Sequence, residues 1–232
     1  MYIILFIICI FIILYAILPN FYYRNLYKDV IKRTSFDNKI ALTFDDGPDE
    51  RYTPLLLDIL KKNNIKCTFF VITSNAVRND KLINRMIDEG HSIGIHSYKH
   101  KSAWLSSIAD TKKDFTMSLE AMKSLGVKIR YFRPPWGTFN LFTHYFARKN
   151  NLRTVLWSIN AKDWSKHTTV SFIRERLLNN VVNGDIIVLH DSNGDEGAPL
   201  RTIKALEECL PVLKNKGFEF ITLDELRGEY DG

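Results

Sequence analysis

The stretch "KIALTFDDGPDE", Lys39 to Glu50, joins a short apolar run to two adjacent carboxylates. Ile40 to Phe44 has the length and side-chain character of a strand, and Asp45-Asp46-Gly47-Pro48 ends it. Two like charges side by side repel, and burying either is costly. Asp-Asp-Gly-Pro is also good turn chemistry in its own right. The segment alone therefore leaves two readings open, a plain turn or a functional strand end.

Outward from this stretch the pattern repeats. Apolar, β-branched runs recur at Cys67–Ile72, His91–His96, Ile129–Phe132, Thr154–Ile159, Asp185–His190 and Phe218–Leu223. Helical spacing fills the intervals at Thr53–Lys62, Lys81–Glu89, Ile108–Leu125, Phe142–Lys149, Val170–Asn179 and Leu200–Lys214. Strand alternating with helix predicts an α/β fold of parallel strands covered by helices. About seven such units fit either a closed barrel or an open doubly wound sheet, and both carry their sites beyond the C-terminal ends of the strands.

Those ends carry reactive groups. "HSYKH" (His96–His100) follows the third strand, "RPPWG" (Arg133–Gly137) the fourth, "NAKDW" (Asn160–Trp164) the fifth and "LHDSNG" (Leu189–Gly194) the sixth. If the chain turns into a helix at His96, then His96 and His100, four apart, share a face and can bind one metal ion. With Asp46 they make a His₂-carboxylate set, and three protein ligands leave a position open, as in catalytic zinc sites. Neighbouring side chains on a strand point in opposite directions, so Asp46 can bind the metal while Asp45 stays free as a base. Arg133 is placed to keep Asp45 ionised; the plainer alternative is a rim salt bridge. Pro134 and Pro135 lack N–H groups, so the next amide, that of Trp136, is suited to donate to an oxyanion. The Trp136 ring reads as core or as a sugar-stacking wall. Asp163 and His190 can pair so that Asp163 raises the imidazole pKa. His91, at the opposite strand end, reads as structural, and His144 and His167 receive no role.

The N-terminus differs in kind. Met1 to Leu18 carries no charged side chain, and a helix of about 18 residues spans roughly 27 Å, close to a bilayer core. Pro19 is expected to end the helix, with Phe21, Tyr22 and Tyr23 as an interfacial belt and Arg24, Lys28, Lys32 and Arg33 suited to headgroups. The domains expected are a transmembrane anchor at 1–19, a basic juxtamembrane linker at 20–37 and a catalytic domain at 38–232. An uncleaved anchor is preferred to a signal peptide, because neither a charged leading region nor a small-residue cleavage site is clear. Positive charges on the C-terminal side of the span would hold the domain in the cytoplasm.

The 232 residues suit one sizeable domain, and the net charge of +6 is spread among acids. No aromatic-and-basic pattern points to nucleic acid, and nothing indicates a protein partner. Cys9, Cys67 and Cys209 share no metal-like spacing and form no complete disulfide framework.

From Lys39 to Leu223 the chain resembles the NodB-type polysaccharide deacetylases, carbohydrate esterase family four. "TFDDGP" (Thr43–Pro48), "HSYKH", "RPPWG", "DW" (Asp163-Trp164) and "LHD" (Leu189–Asp191) stand in that family's order. The resemblance implies a distorted (β/α) barrel of about seven parallel strands and hydrolysis of N-acetyl groups on an N-acetylated glycan. It implies Asp45 as base, Asp46, His96 and His100 as ligands of one divalent metal, zinc, and His190 as general acid oriented by Asp163. It also favours a domain outside the cytoplasm, against the charge rule. Asn160 departs from the family's first acid in the fourth motif, and Trp136 stands where many members carry Tyr. The rival readings are a catalytically inactive sugar-binding protein of the same fold, an O-deacetylase and a phosphoesterase.

Overall fold

The computed structural model describes residues 1–226; positions 227–232 of the domain expected at 38–232 lie outside them. Helix α1 (Tyr2–Leu26) is followed by β1 (Lys39–Asp45), α2 (Thr53–Lys62), β2 (Thr68–Val71), α3 (Thr73–Arg78), α4 (Asp80–Asp88) and β3 (Ser92–Ile95). Then come α5 (Ile108–Ser124), β4 (Tyr131–Phe132), α6 (Thr143–Lys149), β5 (Arg153–Thr154) and β6 (Ile159–Asn160). The remainder is α7 (Val170–Asn180), β7 (Ile186–His190), α8 (Ala198–Asn215) and β8 (Glu219–Ile221).

Every strand pairing is parallel, in the order β5-β4-β3-β2-β1-β7-β6, with β8 beside the start of β1. The segment predicted as one strand, Thr154–Ile159, is in fact two short strands at opposite ends of this order. A flat sheet of seven strands at ~4.8 Å spacing would hold its edges roughly 29 Å apart. The chain from Thr154 to Ile159 reaches at most about 18 Å. The sheet must therefore curl, and it forms the distorted barrel that the motifs implied.

The gap between the two ends is stitched by the segment read from sequence as a linker. Ile31 pairs with Val155, and Thr34 N–H donates to the Gly184 carbonyl at 2.8 Å. Val30 and Ile31 are each only 3% exposed. The expected boundary at 38 is thus too late, because residues 30–34 close the barrel wall. Pro19 does not end α1 either. It lacks the N–H that would bond the Tyr15 carbonyl four residues back, and the Leu141 N–H takes that acceptor at 2.8 Å. From there to Arg24 the helix lies on the domain through Tyr15, Ala16, Pro19, Asn20, Tyr23 and Arg24, the three-to-four spacing of one helical face.

Strand alternation decides what β1 offers. Ile40, Leu42 and Phe44 join the large core beneath the helices, with Leu56, Leu60, Phe69 and Leu206. Ala41 faces the inner core with Phe70, Tyr131, Val155 and Ile186. On the same parity Thr43 and Asp45 turn into the barrel, both buried. Burial of a large apolar side chain contributes about 1.5–3 kcal/mol, so the outward face of β1 fixes the register that aims Asp45 inward.

Candidate active site

Asp45 ends β1 and Asp46 follows it in a left-handed conformation, φ 78°, which swings the second carboxylate away from the first. Gly47 is required by packing: a Cβ there would lie 2.2 Å from Asp191 Oδ2. Asp191 is itself buried and accepts from Thr53 Oγ1 at 2.6 Å.

Asp45 meets Arg133, which is fully buried. Nη1 donates to Asp45 Oδ1 and to Thr43 Oγ1, each at 2.7 Å, and Nη2 donates to the Leu156 carbonyl at 2.9 Å. The guanidinium also lies 4.1 Å from the centre of the Phe70 ring. Burial pushes the Asp45 carboxyl up, but Arg133, and then His96 and His190, outweigh it and hold the pKa below its ordinary value. Asp45 is therefore ionised at neutral pH with its second oxygen toward the cavity.

Asp46, His96 and His100 offer one ligand atom each, all within 4.8 Å of one another. His100 Nε2 lies 3.1 Å and His96 Nε2 3.6 Å from Asp46 Oδ1. His96 Nδ1 donates to the Arg133 carbonyl at 2.7 Å, which turns the Nε2 lone pair to the group. Burial, and then neighbouring His96, push His100 down to about 4, so His100 is neutral at neutral pH. Asp46 Oδ1 is buried without a hydrogen-bond partner. An orphaned carboxylate oxygen facing two imidazoles fits a divalent cation. The loop differs from expectation in one respect. No helix carries the two histidines; left-handed Ser97 and His100 fold a tight turn, and Ser97 Oγ accepts the His100 N–H at 2.7 Å.

Beside Asp45, on the neighbouring strand, His190 ends β7 in register with it. Asp163 Oδ1 accepts from its Nδ1 at 2.9 Å, while Oδ2 takes the His190 N–H at 2.7 Å and the Thr202 hydroxyl at 2.8 Å. Burial lowers the His190 pKa, but Asp163, aided by Asp45 and Asp46, more than reverses this and pushes it up to about 9. Trp136 has φ 54°, is 55% exposed, and sets its ring 4.2 Å from that of His100. Asn160 lines the same cavity and accepts the Lys162 N–H at 2.7 Å. All eight predicted site residues thus gather at one barrel mouth. His91, which accepts from the Cys67 N–H at 3.2 Å, lies apart from it.

The cavity, about 550 Å³, is also walled by Trp157, Trp164, Asn193, Gly194 and Arg24. Arg24 comes from α1, and its Nη1 donates to the Trp136 and Gly137 carbonyls at 3.3 and 3.1 Å. Read from sequence as a headgroup contact, it lies instead at the site. The stripe running from Tyr15 to Arg24 at helical spacing was the signal that could have revealed this.

A curled parallel barrel with a base–arginine pair, a three-ligand metal group and an acid–imidazole pair at one mouth defines a class of barrel hydrolase. Residues 32–155 match the polysaccharide deacetylase family model, and the chain belongs to that family. A peptidoglycan-N-acetylglucosamine deacetylase of Listeria monocytogenes is 34% identical over 86% of this chain, which spans 41% of that protein's length. A second, from Bacillus cereus, is 36% identical over 81% of this chain and 87% of its own. The crystal structure of a peptidoglycan N-acetylglucosamine deacetylase superposes with a TM-score of 0.79 at 31% identity, covering 85% of this chain and 91% of the other.

Proposed function

We propose that this chain removes N-acetyl groups from N-acetylglucosamine units of a peptidoglycan-type glycan, releasing acetate and leaving a free amino sugar. One observation carries the reading: an ionised Asp45 and a protonated His190, at the ends of adjacent strands, line one cavity together with the Asp46, His96 and His100 group. Amide hydrolysis needs a base for water and an acid for the leaving amine at the same pH, and the two environments push these pKa values apart in the required directions.

Two imidazoles and one carboxylate suit zinc, which when bound polarises the acyl oxygen and acidifies water. Asp45, held by Arg133, accepts the proton from the attacking water. The Trp136 amide, in the turn that Arg24 braces, donates to the oxygen that gains negative charge. His190, oriented by Asp163, protonates the nitrogen as the C–N bond breaks. Trp136, Trp157 and Trp164 offer faces for sugar rings. The loop over 191–197, between β7 and α8, contributes Asn193 and Gly194 to the mouth.

The helix Tyr2–Leu26 is long and apolar enough to cross a membrane. We read it as a retained single span, with the catalytic domain on the cell-wall side because the relatives named above act on peptidoglycan. A C-terminal reporter active only in the cytoplasm would overturn that side if it functioned. The activity is tested by acetate release from N-acetylated and O-acetylated glycans, with zinc added and then chelated. Metal-dependent release from the N-acetylated glycan that is lost in Asp45→Ala supports the reading. Release from the O-acetylated glycan alone overturns it.

A further inference from the structure

Residues 1–14 of the apolar segment are all exposed, and the first residue that touches the domain is Tyr15. Fourteen residues make about 21 Å of helix, short of the ~30 Å hydrocarbon core. A span therefore needs the turn from Tyr15 to Leu18 as well. That turn is already seated on the domain. The Tyr15 hydroxyl donates to the Ser106 carbonyl at 2.6 Å, and the Tyr15 carbonyl accepts from Leu141. The domain surface around Ser106 and Leu141 is thus carried down to the bilayer boundary along with the helix.

What that surface presents is apolar. Trp104 is 48%, Leu105 77%, Ile108 48% and Leu141 49% exposed. The two loops that carry them are tied together, since Asn140 Nδ2 donates to the Ala103 and Ser106 carbonyls at 2.9 and 3.2 Å. Single exposed apolar residues are ordinary on a protein surface. A contiguous group flanking a membrane-length helix at the level where it must leave the lipid is not.

We propose that Trp104, Leu105, Ile108 and Leu141 form a collar that seats the catalytic domain on the lipid bilayer around the emerging end of α1. The proposal rests on α1 being a retained span. It has a consequence for the site. Nine residues separate Tyr15 from Arg24, about 14 Å of helix rise, and Arg24 lines the cavity. The mouth therefore opens close to the membrane surface, and the glycan it meets is one held there.

The test uses the full-length chain in vesicles of phosphatidylethanolamine and phosphatidylglycerol. Exposed Cys9 is replaced by Ser, while Cys67 and Cys209 are buried. A single environment-sensitive fluorophore is then placed in turn at I8C, L105C and K123C, all exposed positions. Position 123 is 15 residues beyond Ile108 along α5, about 22 Å away. Lipids bearing a nitroxide high on the acyl chain are the quencher. Loss of most of the emission at position 105, with position 123 unaffected and position 8 quenched by a deeper nitroxide, supports the collar. Quenching at position 8 with position 105 no more affected than 123 leaves the span standing and overturns the collar. No quenching at position 8 or 105 overturns the span and the collar with it.

Discussion

Asp163→Asn isolates one interaction with a calculable effect. The His190 imidazole rises from 6.5 to about 9 despite burial that opposes its charge. That rise is worth about 3.4 kcal/mol of preference for the protonated form, and Asp163 at 2.9 Å is its main source. The sign follows directly. A raised pKa keeps His190 protonated, and fit to serve as an acid, until the pH passes the raised value. With a neutral Asn at 163, burial dominates and the pKa falls to about 6.5 or below, so at pH 7.5 roughly one-tenth or less of the enzyme carries the proton. In the full pH profile of kcat for acetate release, the alkaline limb should move down by about two pH units. At pH 7.5 kcat should drop about tenfold or more, with a further tenfold for each pH unit above. A bound cation lowers the His190 pKa in both proteins alike, so the difference between the profiles carries the test. Asn still offers one acceptor to the His190 amide and the Thr202 hydroxyl, and a thermal melt should show a modest loss of stability. Coincident alkaline limbs would refute the assignment of His190 as the acid that Asp163 sustains.

Other outcomes follow from the same contacts. Asp46→Ala should abolish tight zinc binding in calorimetry. Because it removes a buried, unpartnered carboxylate oxygen, it should leave the metal-free melting temperature unchanged or higher; a large fall would count against an orphaned ligand. Asp45→Ala should cost about 3–5 kcal/mol in urea denaturation by leaving the buried Arg133 charge uncompensated, whereas Asp45→Ala with Arg133→Met should recover stability but no acetate release. A chain beginning at Thr34 loses the burial of Val30 and Ile31, about 3–6 kcal/mol, and should unfold at correspondingly lower urea than one beginning at Asn20. Arg24→Ala should lower kcat more than it raises KM, with Arg24→Lys recovering part of the loss, if bracing the Trp136–Gly137 turn is its role.

The residues of the proposed site were legible because most sit at or just beyond a strand end, where local sequence decides the placement. Asp45 and Asp46, His96, Arg133 and His190 needed only the period of the strands and the rule that sites lie beyond their C-terminal edges. Three features were not legible, and each depends on what lies far away in sequence. Thr154–Ile159 has the composition of one strand, yet it serves two opposite sheet edges; only closure of the barrel reveals this. The turn holding His100 was read as helix because four-residue spacing fits one, whereas left-handed Ser97 and His100 achieve the same convergence. The segment from Tyr15 to Thr34 was read as anchor and linker because its apolar and basic residues match a membrane boundary. They also match a docked helix and a barrel stave, and the structure uses them for both. That double use explains why Arg24 stands beside Trp136: the helix that begins as an apolar segment of membrane-spanning length ends as a wall of the cavity, so under the proposed span one helix would set both the geometry of the site and its height above the membrane.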